Sequence, residues 1–113
     1  MSFLTDEQRT RMLTNGAARL EGRAVDPYPV VRLYTLDATA SWLLSELDPD
    51  GDRAYGLMDA GTGFPELGHV SLSALAGVRG PLGLRIVVDP YFEPHRTLSA
   101  YVIEAQREGS IYD

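Results

Sequence analysis

The chain has 113 residues, 44% of them hydrophobic and 23% charged, which is the composition of one globular domain with a modest core. The absence of cysteine excludes disulfides, cysteine-bound zinc and thiol chemistry. No run of apolar residues is long enough to cross a membrane. The acidic N-terminus also lacks the basic-then-apolar pattern of a signal peptide. We therefore expect a cytoplasmic protein without membrane contact.

The net charge of −6 comes from a single segment of the sequence. Acidic residues outnumber basic residues by 16 to 10, and all ten basic residues are arginine. The segment from Asp37 to Glu66 accounts for the whole excess, because it holds a single arginine and seven carboxylates. These carboxylates are Asp37, Glu46, Asp48, Asp50, Asp52, Asp59 and Glu66. The chain is acidic and Arg79, Arg85 and Arg96 are scattered along it, so it lacks the positive footprint that direct nucleic-acid binding needs.

The first element is predicted to be a helix that begins with a capping box. Thr5 can accept from a backbone N–H three residues on, while the side chain of Gln8 reaches back. We expect this helix to run to about Thr14, with Asn15-Gly16 supplying a left-handed stop. A second helical turn could follow over residues 17–21.

Strands and one tight turn are predicted next, after the prolines of residues 26–29 break any helix. Three strands are expected over residues 30–35, 41–47 and 54–60, with a hairpin turn centred near Asp50-Gly51. In that register two sets of side chains share one face of the sheet. They are Trp42, Leu44 and Glu46 with Tyr55, Leu57 and Asp59.

The second half of the chain alternates short elements. We expect a fourth strand over residues 70–72, a helix over 73–78 capped by Ser71 or Ser73, and a fifth strand over 84–89. Apolar spacing of three and four predicts an amphipathic helix over 98–107.

Together these elements indicate an α+β fold, an antiparallel meander of about five strands with N- and C-terminal helices and one short inserted helix. We expect one domain over residues 1–113, divided into an N-terminal helical segment (1–25), a sheet (26–92) and a C-terminal helix and tail (93–113). The helices would pack on one face of the sheet, and the acidic turns would lie along one edge or end. A strongly bent, barrel-like sheet is the alternative.

Several motifs follow one another in fixed order over nearly the whole chain, at residues 29–35, 42–48, 55–57, 65–72, 79–84, Asp89 and 98–101. Together they resemble the bacterial family called domain of unknown function 2958. The segment 85–92 departs from the pattern, because the family leads us to expect a proline and a charged pair before Asp89. The resemblance implies a small protein carried by plasmids and other mobile elements. It brings no assigned activity and no catalytic residues.

The most distinctive stretch, residues 55–75, combines four glycines and a proline with the acidic Glu66. Such a loop has a defined shape to keep, yet it contains no nucleophile–base pair and no phosphate cradle. Phe64, between Gly63 and Pro65, is the best candidate for an exposed anchor that contacts a partner.

The acidic turn Asp48-Pro49-Asp50-Gly51-Asp52 has two interpretations. Alternating carboxylates followed by Asp59 imitate the spacing of a calcium loop. The glycine is misplaced for such a loop, however, and strands rather than helices are expected on both sides. A plain solvated turn is therefore favoured.

The carboxylates of Glu46, Asp59 and Glu66 could converge to bind a divalent cation or to act as general acid and base. The structural alternative pairs Glu46 with Arg32 across neighbouring strands and Glu66 with N–H groups of the loop. The two histidines, His69 and His95, form neither a catalytic triad nor a zinc motif.

Two functional hypotheses follow. The preferred one is a non-enzymatic protein-interaction module without a cofactor, in which Asp48, Asp50, Asp52, Phe64 and Glu66 contact a protein partner. Its specific version has the acidic face imitate DNA and occupy a basic DNA-binding groove of a defence or DNA-processing protein. The alternative is a metal-dependent hydrolase or nuclease with Glu46, Asp59 and Glu66 as ligands.

Overall fold

The computed structural model describes residues 3–23 and 25–111, which form a five-stranded antiparallel sheet and three helices. The elements are α1 (Asp6–Leu20), β1 (Val31–Thr35), β2 (Ser41–Leu47), β3 (Arg53–Asp59), β4 (Glu66–Ser71), α2 (Leu72–Ala76), β5 (Ile86–Val88) and α3 (Leu98–Glu108). The strand order is β4-β3-β2-β1-β5, so four strands form a meander and β5 returns to pair with β1. The predicted α+β class is confirmed.

Helix α1 begins as the sequence predicts and ends later. Thr5 Oγ1 accepts from the Gln8 N–H at 3.1 Å, and Gln8 Oε1 accepts from the Thr5 N–H at 3.0 Å. The stop expected at Gly16 is wrong, since the helix continues through it to Leu20. Gly16 serves close packing, because a Cβ there would lie 2.3 Å from the carbonyl oxygen of Leu47. The left-handed residue after the helix is Gly22, at φ +79°.

The hairpin between β2 and β3 contains a bulge that changes which side chains share a face. Trp42 pairs with Met58 and Leu43 with Leu57, whereas beyond the bulge Glu46 pairs with Tyr55. The expected placement of Trp42 on the face of Leu57 is therefore wrong. Leu44, which is opposite Gly56, shares the face of Trp42 and so also lies on the opposite face from Leu57. Glu46 does share the face of Tyr55, because one extra residue in β2 shifts its alternation.

The bounds of β4, α2 and β5 differ from the predicted ones for local reasons. β4 begins at Glu66 rather than at residue 70, directly after the buried Pro65. Helix α2 begins at Leu72, with Ser71 as its cap, since Ser71 Oγ accepts from the Ala74 N–H at 3.1 Å. β5 is limited to three residues because Leu84, expected in the strand, belongs to the preceding turn.

The helices lie on both faces of the sheet, so the expectation of one covered face is wrong. Residues of α1 and α2 pack with one set of strand side chains, Met12 and Leu75 among them, beside Leu33 and Leu44. Residues of α3 pack with Leu43, Leu57 and Tyr55 of the opposite face. Because side chains alternate along a strand, both faces of the central strands are buried.

The acidic turns lie at two ends of the sheet rather than at one. Asp37 lies two residues after the end of β1, and Asp59 ends β3 at the same end of the sheet. The turn of Asp48, Asp50 and Asp52 lies at the other end of β2, a distance of about 20 Å for seven residues of strand. Within residues 3–23 and 25–111 no helix is both long and apolar enough to span a membrane.

Candidate functional site

The loop between β3 and β4 presents Phe64 to solvent. Its side chain is 77% exposed, while the next residue, Pro65, is buried. Gly61 and Gly63 on its N-terminal side have φ of +81° and +85°, a backbone conformation that L side chains rarely adopt. The glycines expected to give this loop a shape therefore do so, and they hold an aromatic ring away from the core.

A cleft of about 370 Å³ lies beside Phe64. Gly63, Phe64, Pro65 and Glu66 line one side of it, and Gln106 of α3 lines the other. Ile103 precedes Gln106 by one helical turn and is 68% exposed, so it extends the apolar surface along the same side of α3. Leu67 of β4, paired with Leu57 under α3, is also 42% exposed.

β4 is an edge strand of six residues. It pairs with β3 on one side, and no other backbone segment of residues 3–23 and 25–111 pairs with its outer side. The other edge strand, β5, has only three residues. We refer to Phe64, Leu67, Ile103 and the outer edge of β4 as the docking surface.

The acidic turn uses most of its carboxylate oxygens within the protein. Asp50 Oδ1 accepts from the backbone N–H groups of Asp52 at 2.8 Å and Arg53 at 3.0 Å, which lowers the pKa of Asp50. Asp52 accepts from Ser71 Oγ at 2.6 Å and from the Ser73 N–H at 2.8 Å, and the first of these contributes most to its lowered pKa. Asp48 lies 3.5 Å from Arg53.

Glu46 is a buried carboxylate with one arginine partner. It is 3% exposed, and its Oε1 and Oε2 accept hydrogen bonds from Nε and Nη2 of Arg19 at 2.5 and 2.7 Å. Arg32, the partner of Glu46 in the structural alternative, instead has its Nη1 3.3 Å from Asp89 Oδ2. The hydrogen bond with Glu46 raises the pKa of Arg19. The Arg19 guanidinium also lies 5.0 Å from the centroid of Tyr55, whose ring is 4.8 Å from His69.

The three carboxylates of the hydrolase hypothesis are not brought together. Asp59 is buried and accepts from the N–H groups of Gly61 at 2.8 Å and Ile111 at 3.2 Å. Glu66 is exposed at the start of β4, opposite Met58, and so faces away from Asp59. Among the described residues there is no group of three or more His, Cys, Asp or Glu side chains that could hold a metal ion.

Sequence reasoning missed two features at the end of β1. Asp37 was counted only as charge, yet its Oδ2 accepts from the N–H groups of Leu82 at 2.8 Å and Leu84 at 3.3 Å. These N–H groups belong to the turn of residues 80–84, and Arg79 and Arg85 face each other across it. The signal was present in Gly80-Pro81-Leu82-Gly83, a glycine-containing sequence of hairpin length.

Comparison with known proteins identifies a family. A family model described as "Protein of unknown function (DUF2958)" matches residues 3–112. Searches of curated proteins and of solved structures return no match.

Proposed function

The chain belongs to the DUF2958 family, whose description assigns no function, and we propose that it is a non-enzymatic interaction module. It binds an extended segment of a partner protein at the docking surface. The observation that carries this proposal is the exposure of Phe64 on a held loop, next to a free edge strand.

The loop is preorganised. The buried carboxylate of Asp59 accepts from the Gly61 N–H, and the buried Pro65 anchors the other side of Phe64. A single exposed apolar residue is common on protein surfaces. Here Leu67 and Ile103 are exposed in the same region, and neighbouring apolar groups of this kind mark binding surfaces. Because the loop is already ordered, binding costs little further conformational entropy.

The edge of β4 supplies the second half of the recognition. An extended segment that pairs with β4 receives backbone hydrogen bonds, while alternate side chains reach the apolar groups. Edge strands that bind nothing are commonly short or carry charges that block pairing. β4 has six residues, and Glu66 is the only Asp, Glu, Lys or Arg among them.

The negative charge of Glu66 favours a basic partner segment over an acidic one. The carboxylate of Glu66 is exposed and accepts from no described residue. A segment that alternates apolar and basic residues therefore complements this surface better than an acidic segment does.

The DNA-imitating version of the hypothesis has less support. It needs carboxylates in a row on one surface, whereas the seven carboxylates of residues 37–66 lie at two ends of the sheet. Glu46 and Asp59 are buried, and Asp37, Asp50 and Asp52 hold backbone N–H groups of the protein. The link to plasmids and mobile elements likewise stays a hypothesis.

The test is selection of twelve-residue peptides from a displayed random library, followed by affinity measurement and amide hydrogen exchange. We expect selected peptides to alternate apolar and basic residues and to slow exchange in β4. Phe64→Ala should weaken their binding by about tenfold or more, and Glu66→Gln by about two- to fivefold.

The matched control is Leu82→Ala, since Leu82 is 79% exposed on a different turn and its loss should leave affinity unchanged. The triple variant Asp48→Asn/Asp50→Asn/Asp52→Asn separates binding at the docking surface from imitation of DNA by the acidic turn. Only imitation of DNA depends on these three charges, so binding at the docking surface should be retained in this variant. The proposal is overturned if no peptide is selected, or if selected peptides bind the Phe64→Ala variant as tightly as the parent protein.

A further inference from the structure

A second feature lies at the opposite edge of the sheet, where two arginines face each other. Arg79 and Arg85 are directly opposed on an isolated antiparallel bridge. Cβ atoms of such cross-strand pairs are about 4.5–5.5 Å apart, and like charges in this position repel. An anion that lies between the two side chains would therefore stabilise the pair.

No carboxylate of the described residues neutralises this pair. The ion pairs within residues 3–23 and 25–111 involve other arginines, and neither Arg79 nor Arg85 has an acidic oxygen within 4.0 Å. Arg79 donates from Nη1 to the carbonyl oxygens of Ala76 at 3.3 Å and Val78 at 3.1 Å. The guanidinium of Arg85 donates to no described group. Most of their ten N–H donors are thus available to a ligand.

The two arginines line a cavity with an apolar wall. Its volume is about 160 Å³, and the other lining residues are Phe3, Ala76 and Ile86. Ile86 is buried in the core, and Phe3 packs against that core. The cavity therefore combines two cations with an aromatic and aliphatic surface.

Hydrogen bonds hold the turn between Arg79 and Arg85 in one conformation. The Gly80 N–H donates to the Leu84 carbonyl, and the Gly83 N–H donates to the Gly80 carbonyl, both at 2.9 Å. Asp37 lies so close that a Cβ on Gly80 would fall 1.8 Å from its Oδ1. Asp37 Oδ2 accepts from the N–H groups of Leu82 and Leu84, so the backbone of the turn between the two arginines is held in place.

From this geometry we infer that Arg79 and Arg85 form a binding site for a small molecule that carries one oxyanion on a compact apolar group. Arginine is suited to this role because its planar donors match two oxygens of a phosphate or carboxylate at once. The apolar group of the ligand contacts Phe3, Ala76 and Ile86. The site lies at the β5 edge and is separate from the docking surface at β4, so either can fail without the other.

The test uses three probes: inorganic phosphate, phenyl phosphate and benzoate. Each is titrated into ¹⁵N-labelled protein while amide chemical shifts are followed. We expect saturable shifts at Phe3 and residues 79–86, with phenyl phosphate bound more tightly than inorganic phosphate because only it contacts the apolar wall. Comparison of phenyl phosphate with benzoate identifies which oxyanion the site prefers.

Variants decide whether the arginines are responsible. Arg85→Gln and Arg79→Gln should each weaken binding by about tenfold, and Arg85→Lys should weaken it less because the charge remains. The control is Arg107→Gln, an exposed arginine on α3 whose loss should change nothing. All these positions are on the surface, and the amide spectrum reports directly that each variant is folded.

Two results would overturn the inference. One is the absence of saturable shifts at residues 79–86 with all three probes. The other is equal weakening by Arg107→Gln and Arg85→Gln, which would show attraction by overall charge rather than a site.

Discussion

The Cα of Gly16 in α1 lies directly against the carbonyl oxygen of Leu47 in β2, where a Cβ would approach to 2.3 Å. This contact lets α1 cross the C-terminal end of β2 closely enough for Asn15 Nδ2 to donate to the Ser45 carbonyl at 2.8 Å. It also brings Arg19, one turn further along, to Glu46. One glycine thus sets the position of the whole helix.

Gly16→Ala should destabilise the protein, although alanine is the better helix former by about 1 kcal/mol. The added methyl group meets backbone atoms that cannot rotate away, so α1 must shift from β2. We expect a net loss of about 2 kcal/mol in the free energy of unfolding, measured by urea denaturation. The control is Gly77→Ala, where the nearest atom would be 3.6 Å from the new Cβ. A Gly16→Ala variant as stable as the parent would contradict the close packing.

Arg19→Gln should be costly because it leaves the carboxylate of Glu46 buried without its cation. The Glu46 side chain is 4% exposed and that of Arg19 is 45% exposed, so solvent moderates the loss to about 2 kcal/mol. Chemical denaturation of Arg19→Gln, Glu46→Gln and the double variant gives the coupling between them. Arg11→Gln is the control, since its pair with Glu7 is exposed and should contribute less than about 0.5 kcal/mol.

The lowered pKa of Asp52 should make the stability of the fold depend on pH. Hydrogen bonds from Ser71 and Ser73 lower its pKa in the folded protein below the ordinary value of 3.8. The ionised carboxylate therefore stabilises the fold above pH 3.8, and this contribution is lost as the pH falls through the folded-state pKa. Asp52→Asn should be less stable than the parent protein at neutral pH, and the difference should shrink below pH 3.8.

The measurement is thermal unfolding of the parent protein and the variant from acid to neutral pH. Ser71→Ala, which removes the main donor to the same carboxylate, should reproduce some of the effect. Glu93→Gln changes the net charge equally but removes no contact with a described residue, so its unfolding should follow the parent curve. A constant difference between Asp52→Asn and the parent at every pH would contradict the role of the charged form.

Asp37→Ala should loosen the turn that carries Arg79 and Arg85. The N–H groups of Leu82 and Leu84 lose their acceptor, and amide exchange at both should accelerate by about fivefold, the equivalent of one net hydrogen bond. Asp50→Ala is the matched control, because its carboxylate also holds two backbone N–H groups but at the other end of the sheet. Unchanged exchange at Leu82 and Leu84 would show that Asp37 does not hold the turn.

Local signals of short range were sufficient to predict many elements of the fold. The capping box at Thr5 and Gln8, strand β2 and the hairpin at Asp50-Gly51 each depend on residues that are adjacent in the sequence. Phe64 was identified as an exposed aromatic residue from its glycine and proline neighbours alone. In each case the backbone preference and the side-chain chemistry are local.

The partners of charged residues could not be predicted in this way. Glu46 pairs with Arg19 of α1 rather than with Arg32, whose partner is Asp89. The contact with Arg19 depends on how α1 lies across β2, and no local signal in the sequence marks that placement. Gly16 resembles a helix stop in the sequence, and only the approach of Leu47 gives it another role.

The sequence by itself determined the family, the α+β class, the N-terminal cap of α1 and the hairpin turn at Asp50-Gly51, since these follow from motif order and from conformational preferences of neighbouring residues. Only the tertiary structure decided that the acidic residues lie at two ends of the sheet and largely bind the protein itself. It also decided that β4 is a free edge beside Phe64, and that Arg79 and Arg85 share a cavity. These relationships depend on which strands are neighbours and in which register, and pairing across the sheet is fixed by packing of the whole chain.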